Sequence, residues 1–182
     1  AMDRNAAQAD LRKAHVNGAP GVLVSGLVWL ATGLTWYLAG PSAAFVFLFL
    51  GGMAIAPLAA LLTRFLFKTP AVTIGKPLER IVLVTVPIIL ASFYIAWRWF
   101  GVVAPQAIPI VAIAIGLRYL TFKAMFGTGI FLLLGGAFIL IGGAAFMSSI
   151  SLAGPAALLL GLIEVAFSAT LYRTGRRPVG LG

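Results

Sequence analysis

Long apolar runs, separated by short polar or glycine- and proline-containing breaks, occupy most of the chain. Each run is close to the length of about 20 residues that a helix needs to cross the hydrocarbon core of a bilayer. The runs cover residues 19–39, 43–66, 80–99, 103–122, 125–147 and 153–172. Because a segment in lipid must satisfy its own backbone hydrogen bonds, each run predicts a helix. The pattern predicts an all-α polytopic membrane protein with six transmembrane helices.

The breaks between the runs predict how the helices connect. Residues 40–42, with the sequence GPS, predict a tight turn, and residues 67–79 form the longest loop, with two prolines and a glycine as helix breakers. Three in-out-in hairpins follow from this spacing. We divide the chain into a polar cytoplasmic N-terminal segment, 1–18, a six-helix transmembrane domain, 19–172, and a basic cytoplasmic tail, 173–182.

The composition agrees with a membrane protein and excludes several other classes. Hydrophobic residues make up 62% of the chain and charged residues only 9%, whereas a soluble domain carries about 25% charged residues. A soluble enzyme, a soluble nucleic-acid binder and a disordered chain are therefore excluded. The chain has no cysteine, and His15 is its single histidine. We expect no metal site and no cofactor, because ordinary zinc and haem sites need more such ligands.

The positive charges lie at the ends of the apolar runs, where they orient a membrane protein. Of the 13 basic residues, only Arg98 falls on one side of the predicted spans. The basic residues on the other side are Arg4, Arg12, Lys13, Arg64, Lys68, Lys76, Arg80, Arg118, Lys123, Arg173, Arg176 and Arg177. Since the positive side is cytoplasmic, both termini are predicted to face the cytoplasm. The net charge of +9 therefore does not indicate a nucleic-acid partner.

Glu164 lies near the middle of the sixth run, where a carboxylate is costly and is expected to face the protein interior or a wet cavity. Residues at helical spacing from it are small or polar, and they predict one buried stripe. These residues are Ala157, Gly161, Ser168 and Tyr172. One interpretation is a proton-titratable or cation-binding site inside the bundle. The other is a structural ion pair or a hydrogen-bonded clasp.

Arg118, in the fourth run, is the natural partner of Glu164: at 1.5 Å per residue it lies about 6 Å further towards the cytoplasmic side, a gap that an arginine side chain can bridge if the two helices are neighbours. An ion pair would keep the carboxylate charged. Alternatively, Arg118 extends only to the cytoplasmic headgroups. The adjacent Tyr119 is expected to supply hydrogen bonds. The candidate ligand- or proton-binding residues are Glu164, Arg118, Tyr119, Ser168 and Gly161.

Three basic residues around the longest loop form a second candidate site. Lys68, Lys76 and Arg80 are placed at the membrane surface, where basic side chains bind acidic lipid headgroups. The alternative is that they only orient the chain. Neither interpretation involves a catalytic residue.

Small and hydroxyl residues within the runs predict close contacts between helices. Gly26 and Gly33 are seven residues apart in the first run, and Ser25 shares that run. The fifth run repeats the pattern with Gly135, Gly136, Gly142 and Gly143. Glycine lets membrane helices approach closely, and a hydroxyl group can link them by a hydrogen bond.

Five stretches resemble an uncharacterised family of small bacterial multi-span inner-membrane proteins of unknown function. They are GAPGVLVSGLVWLATG (18–33), GGMAIAPLAALLTRF (51–65), IGKPLERI (74–81), GLRYLTF (116–122) and GLIEVAFSA (161–169). The resemblance spans most of the chain and implies a multi-pass protein of the bacterial inner (plasma) membrane. It implies no activity.

Two functions are compatible with these features. The first is binding or transport of a small solute or lipid through an intramembrane cavity lined by Glu164. The second is a non-catalytic membrane scaffold or partner subunit, in which Glu164 and Arg118 only lock the bundle. We expect no enzyme, because no second strong catalytic group is placed near Glu164. Membrane lipids are the expected partners. A small-molecule ligand, a homo-oligomer and a membrane-protein partner remain open, and no nucleic acid is expected.

Overall fold

The computed structural model describes residues 3–148 and 150–175, which form six α-helices. The helices are α1 (Arg4–Ala14), α2 (Ala19–Leu61), α3 (Lys76–Phe100), α4 (Ala104–Phe126), α5 (Ile130–Met147) and α6 (Ala153–Gly175). A 3₁₀ turn, Val16–Gly18, precedes α2, and a π-helical turn, Leu62–Leu66, follows it. The all-α class is confirmed, and five helices, α2 to α6, are long and apolar enough to cross a membrane. The predicted tail residues Arg176 and Arg177 lie outside the described residues.

Helix α2 is interrupted at Gly40, where the first two apolar runs were predicted to separate. Gly40 has φ 86° and ψ 177°, a backbone conformation that is open almost only to glycine. The halves of α2 on either side of Gly40 lie next to each other. A β-carbon added at Gly51 would lie 2.7 Å from Val28 Cγ1, and one added at Gly21 would lie 3.9 Å from the β-carbon of Ala59. The break therefore folds one long apolar segment back on itself.

Helices α2 to α6 form a closed ring. The second half of α2 meets α3 through Phe45 and Phe93, whose ring centroids are 6.1 Å apart. Helices α3, α4, α5 and α6 then contact one another in chain order. The ring closes where α6 packs against the first half of α2, as the contact between Gly161 and Gly26 shows. This first half carries most of the buried residues of α2.

The interface between α2 and α6 is built on glycines. A β-carbon added at Gly161 would lie 2.7 Å from the backbone nitrogen of Leu30 and 2.8 Å from the carbonyl oxygen of Gly26. One added at Gly33 would lie 3.0 Å from the backbone nitrogen of Leu158. The predicted close approach at Gly26 and Gly33 is thus confirmed, because the two backbones leave no room for side chains.

Helix α5 uses only some of its glycines for packing. A β-carbon at Gly135 would lie 2.7 Å from the carbonyl oxygen of Gly116 in α4, and Gly142 also contacts α4. In contrast, a β-carbon at Gly136 or Gly143 would meet no atom of the described residues within 4 Å. The prediction for the fifth run is confirmed for Gly135 and Gly142, whereas the other two glycines face away from the bundle.

The polar N-terminal segment contains a helix that the search for apolar runs did not find. Helix α1 begins after Asp3, whose Oδ1 accepts a hydrogen bond of 2.9 Å from the backbone N–H of Asn5. Its buried stripe includes Ala7, Leu11 and Ala14, spaced by four and three residues as on one face of a helix. These signals were present in the sequence, but the helix is too short and polar to be a membrane span.

Polar side chains of α1 and of the turn after it connect the ends of several helices. Gln8 Nε2 donates to the carbonyl oxygen of Ala124 at 2.9 Å, and Arg12 Nη1 donates to that of Phe126 at 2.7 Å. Asn17 Nδ2 donates to Thr174 Oγ1 at 3.1 Å. The N-terminal segment thus holds the ends of α4 and α6 together.

Asp10 connects α1 to the loop before α3. Its Oδ2 accepts hydrogen bonds from the backbone N–H groups of Thr73, Ile74 and Gly75, at 2.8, 2.8 and 2.9 Å. These bonds, that of Gly75 foremost, lower the pKa of Asp10 below its ordinary value, because they stabilise the charged form. Since the folded pKa is lowered, the contribution of Asp10 is complete at neutral pH and is lost as the pH falls below about 4.

We expect the D10N variant to loosen this loop. Backbone amides 73–75 should exchange hydrogen roughly tenfold faster than in the wild type at neutral pH, since the charged acceptor is lost. Hydrogen exchange followed by mass spectrometry, corrected for intrinsic rates, measures this. D3N is the matched control, because it removes the same charge while asparagine still caps α1. Equal exchange in the wild type and D10N would contradict the role of Asp10.

The two ends of the ring differ in charge. The contacts of α1 bring three basic regions together at one end, namely the N-terminal segment, the loop before α3 and the end of α4. At the opposite end, Trp99 Nε1 donates to Gln106 Oε1 at 2.6 Å, and Trp36 packs against Gly154. Arg98 lies at this second end. The basic residues that the sequence places on one side of the predicted spans therefore collect at one end of the folded structure, and Arg98 lies at the other end.

Candidate functional site

Glu164 is fully buried, with 0% of its surface exposed. Its Oε1 accepts a hydrogen bond of 2.8 Å from Ser25 Oγ and a second hydrogen bond from the Tyr119 hydroxyl. The three residues belong to α6, α2 and α4, so one carboxyl oxygen joins three helices. The other oxygen, Oε2, has no hydrogen-bond partner among the described residues. We call Ser25, Tyr119 and Glu164 the hydroxyl–carboxyl cluster.

Glycine packing brings the carboxyl group to Ser25. A β-carbon added at Gly26 would lie 3.0 Å from both the β-carbon of Glu164 and the carbonyl oxygen of Gly161. The two helices therefore approach so closely that the short side chain of Ser25 reaches Glu164. The expected role of Ser25 as a hydrogen-bonding link between helices is confirmed.

Aromatic rings hold Tyr119 in place. Its ring stacks on Phe131 with a centroid distance of 6.2 Å, and it meets Phe122 and Phe138 edge to face at 5.6 and 5.5 Å. Phe131 and Phe138 are both fully buried. Such pairs favour defined geometries, so the aromatic cage fixes the ring and keeps water from the hydroxyl group. Tyr119 is the predicted site residue that contacts Glu164 directly.

Arg118 does not form an ion pair with Glu164, which was one of the two interpretations of this residue. In the part of the chain that the structure describes, the one contact between a basic and an acidic side chain within 4.0 Å is that of His15 with Glu79, at 3.0 Å. Arg118 is half-buried, and its guanidinium carbon lies 5.6 Å from the ring centroid of Phe122. Because adjacent residues point in different directions around a helix, α4 presents Tyr119 to Glu164 and turns Arg118 away.

The remaining predicted residues of this site lie in contacts within α6 or between α6 and its neighbours. Ser168 is buried, and its Oγ donates to the carbonyl oxygen of Val165 in its own helix, at 2.7 Å. Gly161 faces the backbone of α2. Tyr172 contacts Phe67, with ring centroids 5.7 Å apart. The predicted small and polar stripe of α6 therefore lies mainly in helix contacts.

A separate groove of about 610 Å³ lies between the two halves of α2. Its lining residues are all apolar: Val24, Leu27, Val28, Phe47, Leu58, Leu61, Leu62, Phe65 and Leu66. None of the residues of the hydroxyl–carboxyl cluster belongs to this lining. The groove and the buried carboxyl group are thus distinct features, which the sequence did not separate.

The predicted headgroup residues lie at the basic end of the ring. Lys68, Lys76 and Arg80 are all exposed. Lys68 follows the π-helical turn, and the other two lie in the first turns of α3. The loop between Lys68 and Lys76 connects the π-helical turn to α3, and Asp10 of α1 binds its backbone.

Comparison with known protein families places the chain in one of them. Residues 4–174, which run from the first residue of α1 almost to the end of α6, match DUF7010, a family of unknown function. The chain belongs to this family. The predicted membership in a family of unknown function is therefore confirmed. No curated protein and no solved structure matches the chain, so the role of this DUF7010 member has to be argued from its geometry.

Proposed function

We propose that this DUF7010 member is an integral protein of the bacterial inner membrane with six transmembrane helices in three hairpins. The break at Gly40 supports six spans, because an unbroken helix of 43 residues would be about 64 Å long, roughly twice the hydrocarbon thickness. The concentration of basic residues at one end supports a cytoplasmic location for α1 and the end of α6.

Within the membrane, we propose the role of a non-catalytic scaffold or partner subunit. The observation that carries this proposal is the closed environment of Glu164, whose Oε1 is held by hydroxyl groups from two other helices. A binding site would bring a carboxyl group to an accessible cavity. The described groove has no polar lining residue, and it does not include Glu164. The hydroxyl–carboxyl cluster thus acts as a clasp between α2, α4 and α6.

A second candidate function is transport of a proton or small cation through Glu164. One observation favours this function. Oε2 is buried and has no hydrogen-bond partner among the described residues, so this oxygen is free to bind a proton or a cation. Intramembrane carboxylates with this property occur in proton relays. The two candidates differ in whether the carboxyl group exchanges its ligand with water.

A proton-flux measurement separates the two candidates. We expect liposomes that contain the protein and the pH-sensitive dye pyranine to take up protons no faster than empty liposomes, because Glu164 is closed off from water. E164Q should behave in the same way, since it keeps an acceptor for both hydroxyl groups. Proton flux in the wild type that is lost in E164Q would overturn the scaffold proposal and support transport.

A further inference from the structure

The groove between the two halves of α2 has the properties of a binding site for a lipid chain. Its volume of about 610 Å³ falls within the range of about 300–1,000 Å³ that is typical of ligand pockets. Every lining side chain is apolar, so the groove offers no partner to the polar groups of a solute. Leu61 is 50% exposed and Phe65 68% exposed, which leaves the groove open at the surface of the bundle.

Basic side chains stand at one end of this groove. Phe65 and Leu66 line the groove from the π-helical turn, and Arg64 lies in the same turn. Lys68 follows two residues after Leu66, where its positive φ of 48° ends the helical segment. Arg64 and Lys68 are both exposed, and neither has an acidic side chain within 4.0 Å in the described ranges 3–148 and 150–175.

The π-helical turn keeps these basic residues next to the groove. The backbone N–H of Phe67 donates to the carbonyl oxygen of Leu62 at 3.1 Å, and Thr63 Oγ1 donates to that of Ala59 at 3.0 Å. Thr69 also donates its backbone N–H to the carbonyl oxygen of Thr63, at 3.3 Å. These bonds tie the segment that carries the charges to the helix that forms one wall of the groove. π-Helical turns are frequent at functional sites.

We propose that the groove binds one acyl chain of an anionic phospholipid, whose phosphate pairs with Arg64 and Lys68. The apolar lining suits the chain, and the unpaired positive charges at its end suit the headgroup. The proposal rests on the proposed membrane-spanning arrangement, which places this end of the groove at the cytoplasmic leaflet. It does not involve the hydroxyl–carboxyl cluster.

Titration of the full-length protein with phosphatidylglycerol and phosphatidylcholine, read by native mass spectrometry, tests the headgroup contact. The wild type should bind phosphatidylglycerol more tightly than phosphatidylcholine. R64A/K68A should weaken binding of phosphatidylglycerol by about thirtyfold, since each basic residue near an anionic headgroup contributes about a fivefold factor. R4A/K13A is the matched control, because it removes two exposed charges of α1, at the same end of the ring, that belong neither to the groove nor to the predicted headgroup site. This control should keep the preference.

Filling the groove tests the acyl-chain contact. L61W places a large side chain in the groove and should weaken binding of both lipids by about tenfold, because the acyl chain loses buried apolar contact. L83W is the control: Leu83 is 67% exposed on α3 and does not line the groove. Unchanged binding in L61W or in R64A/K68A would overturn the proposal. Proton flux through Glu164 would overturn the scaffold role instead and would leave these titrations unaffected, so the two failures are distinguishable.

Discussion

Removing both hydroxyl groups of the hydroxyl–carboxyl cluster, in S25A/Y119F, is expected to lower the free energy of unfolding by about 3 kcal/mol, because a buried acceptor loses both of its hydrogen bonds. The variant keeps Glu164 at a fully buried position but removes both of the hydrogen bonds that its Oε1 accepts. A buried carboxyl group without partners loses the interactions that replaced its hydration. Unfolding in mixed micelles with increasing SDS, followed by circular dichroism, measures this change.

An apolar replacement of the whole cluster provides the control. E164L alone should cost about 2 kcal/mol, because it leaves two buried hydroxyl groups without their carboxyl acceptor. The triple variant S25A/Y119F/E164L should return to within about 1 kcal/mol of the wild type, since no polar group then remains unsatisfied. If the single, double and triple variants were all as stable as the wild type, the cluster would not be a clasp.

G161A is expected to destabilise the bundle by about 3 kcal/mol, at the upper end of the usual cost of overpacking. The added β-carbon would lie 2.7 Å from the backbone nitrogen of Leu30 and 2.8 Å from the carbonyl oxygen of Gly26. Because backbone atoms cannot rotate away as a side chain can, α6 would have to shift from α2. That shift would also separate Ser25 from Glu164, so the same SDS titration should detect both effects.

G136A is the matched control for this substitution. Gly136 also lies within a helix, but an added β-carbon would meet no described atom within 4 Å. Alanine has the higher helix propensity, so G136A should be as stable as the wild type or slightly more stable. Equal stability of G161A and G136A would show that α2 and α6 do not pack as the structure has them.

The regular elements were predictable because the bilayer imposes simple rules on a sequence. Apolar length marked the helices α2 to α6, since a helix in lipid has to be both apolar and long. The break at Gly40 also followed from local residues, because glycine and proline end helices. Helix α1 was not predicted, because a search for long apolar runs does not detect a short surface helix. Its signals in the sequence are the N-cap residue Asp3 and the buried stripe that includes Leu11.

The candidate site was predictable only in part. A carboxylate in the middle of an apolar run indicated that Glu164 is buried, and helical spacing indicated which face of α6 is buried with it. The position of a residue along a helix, however, defines its depth in the membrane and not the neighbouring helix towards which its side chain points. Arg118 and Tyr119 differ by one residue in depth, yet only Tyr119 points towards Glu164.

The sequence by itself determined the all-α class, the location of the long apolar helices, the end at which the basic residues collect and the burial of Glu164, because each depends on the composition of one continuous segment. The tertiary structure alone decided that Ser25 and Tyr119 bind Glu164, that Arg118 turns away and that an apolar groove lies between the halves of α2. These features depend on which helices are neighbours and how each is rotated about its axis, and close packing at glycines in distant parts of the chain decides both.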